Sequence, residues 1–277
     1  MRRWLAIIIW LLAFGTVGLF AFGNWQLPTA ITEFGPTFDR QFKLTMIVTG
    51  MGFLLVQFFL GLFVWRYNAN KKPAYIQNNN KIEIAWTIFT AIVFITLALL
   101  GQRVWAALLK KPNETEVFKV EVIGQQFQWN FHYAGRDSVF GRTRPDMIRD
   151  SELNYIGLDK TDPKAKDDIV SSVLVVPVNH QIELTMKSRD VTHSFWVAHL
   201  RFKQDLVPGM TIKMFFKPMQ MGKYEIACAE LCGQSHYKMK SYLLVLSEDE
   251  HQKLMSLSAQ EFQARVAELL KQYQITS

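Results

Sequence analysis

Three long apolar runs without a charged residue constrain this chain more than any other feature. They cover residues 4–22, 44–65 and 84–102. A helix needs ~20 mostly apolar residues to cross a bilayer, so each run predicts a membrane-spanning helix. The first run follows Arg2-Arg3 and ends at Ala21-Phe22-Gly23, which a signal peptidase could also accept. Segment 1–23 is therefore a retained helix or a signal peptide, and its length favours the helix.

The charges divide the chain into two parts. Residues 1–111 hold 11 basic and 3 acidic side chains, whereas residues 112–277 hold 20 and 21, so the basic excess lies in the apolar part. This location indicates membrane topology and not nucleic-acid binding. Basic residues precede the first span and fill the loop between the second and third, namely Arg2, Arg3, Arg66, Lys71, Lys72 and Lys81. These ends should face the cytoplasm, and everything after the third span should lie outside.

The outer part has the pattern of an all-β domain. Alternating or β-branched runs occur at 118–123, 128–133, 173–178, 182–186, 211–216, 222–226 and 242–246. They predict a β-sandwich or Greek-key barrel. The polar stretch 135–168 is expected to be a surface insertion, and capping boxes at Ser247 and Ser258 predict two short C-terminal helices. The expected regions are 1–23, a transmembrane hairpin in 24–111, a β-domain in 112–247 and helices in 248–277.

Both cysteines lie in one short segment that is rich in soft metal ligands. Cys228, Cys232, His236 and Met239 fall within twelve residues, and His193 offers a second imidazole upstream. Thiolate and thioether sulfurs favour copper. A disulfide, a tetrahedral zinc site and a mononuclear blue-copper site remain open, but the first two leave the methionine unexplained and the third leaves one cysteine over. Two bridging thiolates on two coppers would use every group.

The motif Cys-x-Glu-x-Cys-x-x-x-His-x-x-Met, with His-Ser-Phe-Trp upstream, resembles subunit II of the haem-copper cytochrome c oxidases. Further matching segments are Glu83-Ile-Ala-Trp-Thr87, the aromatic run 124–133 and Lys203-Gln-Asp-Leu-Val-Pro-Gly209. The resemblance implies a membrane-anchored all-β protein in which transmembrane helices precede a cupredoxin-like Greek-key β-barrel. It also implies an electron-accepting subunit of a proton-translocating terminal oxidase in a bacterial inner membrane, with the copper domain on the periplasmic side.

The resemblance assigns a binuclear copper A centre to His193, Cys228, Cys232, His236, Met239 and the backbone carbonyl of Glu230. The Glu230 side chain would help bind Mg²⁺ at the boundary with the catalytic subunit, which agrees with the preference of that ion for oxygen. Asp190 and Asp205 are candidate supporting carboxylates. None of the six histidines lies in a predicted span, so no haem is expected in this chain.

Further roles follow from the same resemblance. Glu83 lies at the cytoplasmic mouth of the third span and is either a solvated flank or the start of a proton path. Phe127 stands where the family commonly has the tryptophan that receives the electron from cytochrome c, so the electron is expected to enter at Phe127 or Trp129. The acidic residues that usually follow this run are missing except for Asp137. The expected partners are subunits I and III and a cytochrome c that is membrane-bound or part of a respiratory supercomplex.

Other functions compete with this one. A quinol oxidase subunit would lack the copper cysteines, and a nitrous oxide reductase would need a large additional propeller domain. A membrane-tethered copper carrier or an oxidase assembly factor is the alternative from another class. The apolar hairpin with Glu83, Trp86 and Trp105 argues instead for packing against a large subunit.

Overall fold

The computed structural model describes residues 2–23, 27–67, 79–109, 112 and 117–275. The chain divides into two compact units. One contains residues 1–27 and 37–106, and the other contains Pro28–Pro36 together with Ala107–Ser277. The lysines of the predicted cytoplasmic loop, Lys71 and Lys72, lie outside the described residues.

The first unit is built from three helices, α1 (Arg2–Phe22), α2 (Gly35–Arg66) and α3 (Asn80–Leu108). Each is long and apolar enough to cross a membrane, and the three helices contain the three predicted apolar runs. The helices extend beyond the charge-free runs because backbone hydrogen bonding continues into the polar flanks of each span.

Trp10 fastens α1 to α2. Its ring stacks on Phe58 at 6.0 Å and on Trp65 at 6.1 Å between centroids, and its indole N–H donates to the carbonyl oxygen of Phe58. A Cβ at Gly61 would lie 2.2 Å from the Trp10 indole nitrogen. The absence of a side chain at Gly61 therefore lets the two helices approach closely.

The second unit contains two five-stranded sheets. Its strands are β1 (Phe118–Gln125), β2 (Gln128–Tyr133), β3 (Ile169–Ser171), β4 (Leu174–Pro177), β5 (Ile182–Ser188), β6 (His193–Val197), β7 (Phe202–Leu206), β8 (Ile212–Phe216), β9 (Gly222–Cys228) and β10 (Lys240–Leu246). The first sheet has the order β3-β2-β1-β5-β8 and the second β4-β10-β9-β6-β7. This arrangement confirms the predicted all-β fold class.

Three strands were not predicted from the sequence, and each has a local reason. Strand β3 has only three residues, too few to show a period. The inner strand β6 is buried on both faces except at Trp196, so its side chains do not alternate in polarity. The edge strand β7 carries polar residues at its centre.

The core lies between the two sheets and includes Phe131, Tyr133, Phe195, Phe216 and Tyr224, all at most 1% exposed. Burial of such large apolar surfaces supplies most of the driving force for folding of this unit.

A segment that precedes α2 also belongs to this core. Ile31 is 1% exposed, its N–H donates to the carbonyl oxygen of His199 at 2.9 Å, and its carbonyl accepts from Met219 at 2.7 Å. Region 24–111, expected to form only the membrane hairpin, thus contributes Pro28–Pro36 to the outer unit. The reason is that Ile31 and Phe34 bury apolar side chains there.

The insertion 135–168 has a small core of its own. Ile156, Leu158 and Ala165 pack with Ile123 of β1. Asp168 is hydrogen-bonded to the buried His132 of β2. These contacts fold the insertion back onto the first sheet.

Two short helices end the described chain, α4 (Glu248–Met255) and α5 (Ala259–Gln272). Ser247 accepts a hydrogen bond from the Glu250 backbone, and Ser258 forms a complete capping box with Glu261. Phe262, Val266 and Leu269 of α5 are buried in the core of the outer unit. The predicted C-terminal helices are confirmed.

Candidate metal centre

Two neighbouring strands and one loop bring the soft ligands together. His193 begins β6 and Cys228 ends β9, and these strands pair so that Phe195 lies opposite Cys228. The loop after β9 carries Cys232 and His236 and returns to Met239, whose carbonyl accepts a hydrogen bond from the Cys228 N–H. Residues that are 46 apart in sequence therefore meet at one end of the second sheet.

The cysteine sulfur atoms of this cluster lie close to each other, and each lies close to one imidazole nitrogen. The Sγ atoms of Cys228 and Cys232 are 3.8 Å apart. Cys228 Sγ lies 3.9 Å from His193 Nδ1, and Cys232 Sγ lies 3.5 Å from His236 Nδ1. Met239 Sδ is 3.9 Å from Cys232 Sγ, and the Glu230 carbonyl oxygen is 3.2 Å from Cys228 Sγ. Each sulfur thus faces its own imidazole.

This geometry fits a shared metal ion and not a disulfide. An S–S bond measures ~2.05 Å, far less than the 3.8 Å between the two sulfurs, and both cysteines are free. Two thiolates can bind the same ion when their separation is below twice a metal–sulfur bond, or ~4.6 Å for bonds of ~2.3 Å. The two cysteines meet this condition, and the ligand atoms of His193, Cys228 and Cys232 lie within 4.8 Å of one another, with all three residues buried.

Asp190 fixes the orientation of the His193 ring. Its Oδ1 accepts a hydrogen bond from His193 Nε2 at 2.8 Å, and its Oδ2 accepts one from the Gln126 backbone N–H at 2.8 Å. The other ring nitrogen, Nδ1, then points at Cys228. A carboxylate that holds the far nitrogen of a ligating histidine is a common support for a metal site.

The two thiols differ in acidity. Burial acts to raise the pKa of Cys228, but hydrogen bonds with His193, with the Ser194 and Glu230 backbones and with His236 together outweigh it and lower that pKa to about 6. Burial together with the charge of Cys228 raises the pKa of Cys232 to about 12. Burial acts against a charged His193, yet Cys228 and Asp190 raise the His193 pKa overall. A metal ion binds the deprotonated forms of these groups, so its binding would displace protons from the cluster.

Two glycines allow the close packing around the cluster. A Cβ at Gly124 would lie 3.1 Å from His193 Cδ2 and 3.3 Å from the Trp129 ring. Gly233, with φ +136°, would place a Cβ 2.8 Å from Gln126 Nε2 and 3.0 Å from the Phe127 ring. Gln126 Nε2 also donates to the Cys232 carbonyl at 2.6 Å. Strand β1 and the turn that follows it thus contact both halves of the site.

The two aromatic candidates lie in different environments. Trp129 is 1% exposed and contacts the His193 ring edge to face, with 6.2 Å between centroids. Phe127 is half-buried against Gly233 of the cysteine loop. Phe127 is therefore partly exposed at the surface, whereas Trp129 is buried.

The remaining predicted residues have contacts of their own. The Glu230 residue is half-buried between the two cysteines. Asp205 accepts a hydrogen bond from the Ser194 hydroxyl at 2.6 Å. Glu83 is in the first turn of α3, where its carbonyl accepts a hydrogen bond from Thr87.

Comparison with known proteins gives the family. The family described as cytochrome C oxidase subunit II, periplasmic domain, matches residues 118–245, and its transmembrane domain matches residues 27–104. The alternative cytochrome c oxidase subunit 2 of Bradyrhizobium diazoefficiens is 31% identical over 250 residues, covering 89% of this chain and 88% of that protein. The chain belongs to the cytochrome c oxidase subunit II family.

Other similar proteins carry related names. The probable cytochrome c oxidase subunit 2 of Rickettsia felis is 33% identical over 71% of this chain and 60% of its own length. The periplasmic domain of cytochrome oxidase subunit II from Bradyrhizobium japonicum is 23% identical, covers 56% of this chain and 99% of that domain, and has a TM-score of 0.40.

Membership in the subunit II family makes this chain part of an oxidoreductase complex and a membrane protein with an outside-facing domain. Helices α1, α4 and α5 lie outside the stretches that the two families match.

Sequence reasoning on this subunit II chain missed several residues around the cluster. Gln126, Gly124 and Gly233 act through backbone contacts or small size, which no ligand motif signals. The glycine that opens the aromatic run could have suggested a close approach. His132 belongs to the aromatic run and was given no role from the sequence, yet it is fully buried between Glu121 and Asp168.

Proposed function

We propose that this subunit accepts electrons from a cytochrome c at a binuclear copper A centre and passes them to haem in the catalytic subunit. The ligands are His193, Cys228, Cys232, His236, Met239 and the carbonyl of Glu230. The observation that carries this proposal is the pair of buried thiols 3.8 Å apart, each facing the Nδ1 atom of a different imidazole.

The composition of the cluster favours two coppers over the alternative metals. A tetrahedral zinc site is complete with two cysteines and two histidines and does not need Met239, which is 1% exposed and packed against Cys232. A mononuclear blue-copper site needs one thiolate, whereas here each of the two sulfurs lies within 3.9 Å of an imidazole nitrogen. Two bridging thiolates account for all of the soft ligands.

When bound, the two coppers would share one electron and thereby supply a one-electron relay. The protein supplies the rigidity that such a relay needs. Asp190 holds His193, the Gln126 side chain holds the Cys232 carbonyl, and the Cys228 N–H binds the Met239 carbonyl. These hydrogen bonds keep the ligands in place in both oxidation states, so little rearrangement accompanies electron transfer.

The electron enters at Phe127, with Trp129 behind it. Phe127 is half-buried and contacts Gly233 next to Cys232, whereas Trp129 is 1% exposed and can meet no external donor. The scarcity of acidic residues in the sequence that follows Phe127, where Asp137 is the first, favours a donor held at high effective concentration over a small basic cytochrome steered from solution. The donor is accordingly a membrane-bound cytochrome or a member of a respiratory supercomplex.

The other assignments concern the partner subunits. The chain binds subunits I and III of a haem-copper oxidase in a bacterial inner membrane. The Glu230 carboxylate contributes to Mg²⁺ binding at the subunit I boundary, since it lies between the cysteines and carboxylate oxygen suits this ion. Glu83, an ionisable residue at the end of an apolar span, begins a proton path.

Electron paramagnetic resonance of the full chain, purified in detergent and reconstituted with copper, tests the metal assignment. One electron shared over two copper nuclei gives a seven-line hyperfine pattern, with two coppers bound per chain. A four-line pattern would show a mononuclear site, and a zinc-only preparation with no copper uptake would exclude the proposal.

A further inference from the structure

An arginine beside the metal centre contacts the insertion 135–168. Arg189 follows β5, and its guanidinium binds Asp150 of the insertion with two hydrogen bonds, at 2.7 Å to Oδ1 and 3.0 Å to Oδ2. The same guanidinium donates to Gln125 Oε1 at 2.7 Å. Such a two-point contact fixes orientation as well as distance.

The backbone of Arg189 is held as firmly as its side chain. Its N–H donates to the Gly124 carbonyl at 2.9 Å, extending the parallel pairing of β1 and β5 by one residue. Arg189 is thus fixed from the β1 side by Gly124 and Gln125 and from the insertion side by Asp150. Its side chain is 22% exposed, less than that of Asp150 at 59%.

The residue after Arg189 is Asp190, whose carboxylate orients His193. That carboxylate also receives the Gln126 and Val191 N–H groups, at 2.8 and 2.7 Å. The place of Asp190 therefore depends on the relative position of the ends of β1 and β5. Arg189 is the side chain that joins these two ends to the insertion.

We propose that Arg189, clamped by Asp150 and Gln125, is a positioning residue for the ligand His193 and that the insertion serves as an outer brace of the metal centre. The inference rests on the proposed copper site. The insertion then helps to retain the metal, which is a different function from contact with the electron donor. Loss of the clamp lets the turn at Asp190 move, which loosens His193 without removing any ligand.

The test measures the rate at which the copper-loaded full chain in detergent loses copper to a Cu(I) chelator under mild reduction. Asp150→Ala and Arg189→Gln should lose copper about two- to fivefold faster than the unmodified chain, the range that a partly exposed ion pair can supply. Asp150→Glu retains the charge and should restore most of the slow rate. The hyperfine splitting should change in the first two variants only.

Two control variants separate this role from general loosening of the insertion. Asp146→Ala breaks a comparable two-point pair with Arg144 that lies within the insertion. Asp162→Ala removes the carboxylate that accepts from the Arg142 and Lys164 backbones. Both should make the insertion more sensitive to limited proteolysis and leave copper loss unchanged.

Equal copper loss from Asp150→Ala and the unmodified chain would overturn the inference, as would equal acceleration in the Asp162 control. An unmodified chain that binds copper without the seven-line pattern would refute the proposed function itself. The two failures are therefore distinguishable.

Discussion

The buried His132 pair offers the sharpest test of how the outer unit is held together. His132 is 0% exposed, with Nδ1 2.9 Å from Glu121 Oε2 and Nε2 2.7 Å from Asp168 Oδ2. His132→Leu replaces the imidazole with an apolar side chain of similar size. The Asp168 carboxylate then remains buried without its histidine partner, and the Gly141 N–H still donates to it. Breaking a buried pair in this way costs about 3–5 kcal/mol of unfolding free energy.

The pH dependence of this loss has a definite sign. Burial acts to lower the pKa of His132, but hydrogen bonds to Asp168 and Glu121 outweigh it and raise the pKa overall. The stabilisation is therefore complete below the unfolded pKa of ~6.5 and is lost as the pH rises through the higher folded value.

Other groups around this pair define the useful pH range. Burial acts to raise the pKa of Glu121, but hydrogen bonds from His132 and from Lys187, at 2.7 Å, lower it overall. Its own contribution is lost only as the pH falls through that lowered value. The ring of Phe140 packs on His132 and is not ionisable. Measurements between about pH 6 and 9 thus report on His132.

Hydrogen exchange of the slowest amides of β2 and β10 in the full chain measures this cost. At about pH 6 the exchange of His132→Leu should be about 100- to 4,000-fold faster than that of the unmodified chain, because each ~1.4 kcal/mol is a factor of ten. The ratio should fall towards pH 9. Asp146→Asn, which weakens an exposed pair, should change the rate less than about fivefold.

An acceleration below about tenfold for His132→Leu, or a ratio that is the same at both ends of the pH range, would refute the reasoning. The first result would mean that Asp168 finds another partner or takes up a proton at little cost. The second would mean that the charge on His132 does not stabilise the fold.

Four further predictions concern electron and proton transfer. Cys228→Ser and Cys232→Ser should each abolish the binuclear centre and leave the fold intact, since the apolar core does not depend on the metal; two coppers per chain in either variant would exclude bridging. Met239→Leu should keep copper but shift its reduction potential, because a weak thioether ligand tunes the site more than it holds it, and redox titration will show the shift. Glu83→Gln should slow turnover of the assembled oxidase at normal copper content; a normal rate would indicate a solvated flank. Oxidation of a small basic cytochrome c should be slow and depend weakly on ionic strength, whereas a fast rate that collapses with salt would show an acidic docking surface elsewhere, for example in the insertion.

The sequence by itself determined the three spans, the all-β class of the outer part and the set of soft ligands. A charge-free apolar run that is about as long as a bilayer is thick has few stable structures other than a membrane-spanning helix. The sequence of β2, with the predicted bounds Gln128–Tyr133, has a period of two, and the N-cap serines of α4 and α5 are local signals. Each of these features depends on residues that are close together in the chain.

Only the tertiary structure decided how distant residues support the metal centre. The contacts of Gln126 with Cys232, of Asp190 with His193 and of Arg189 with Asp150 join segments that are far apart or face each other across a turn. Only the structure showed that Ile31 packs in the core of the outer unit and that His132 is paired with Asp168. Hydrogen bonds and packing depend on where folding brings the chain segments together, and one sequence carries no periodic or spacing signal for such pairs.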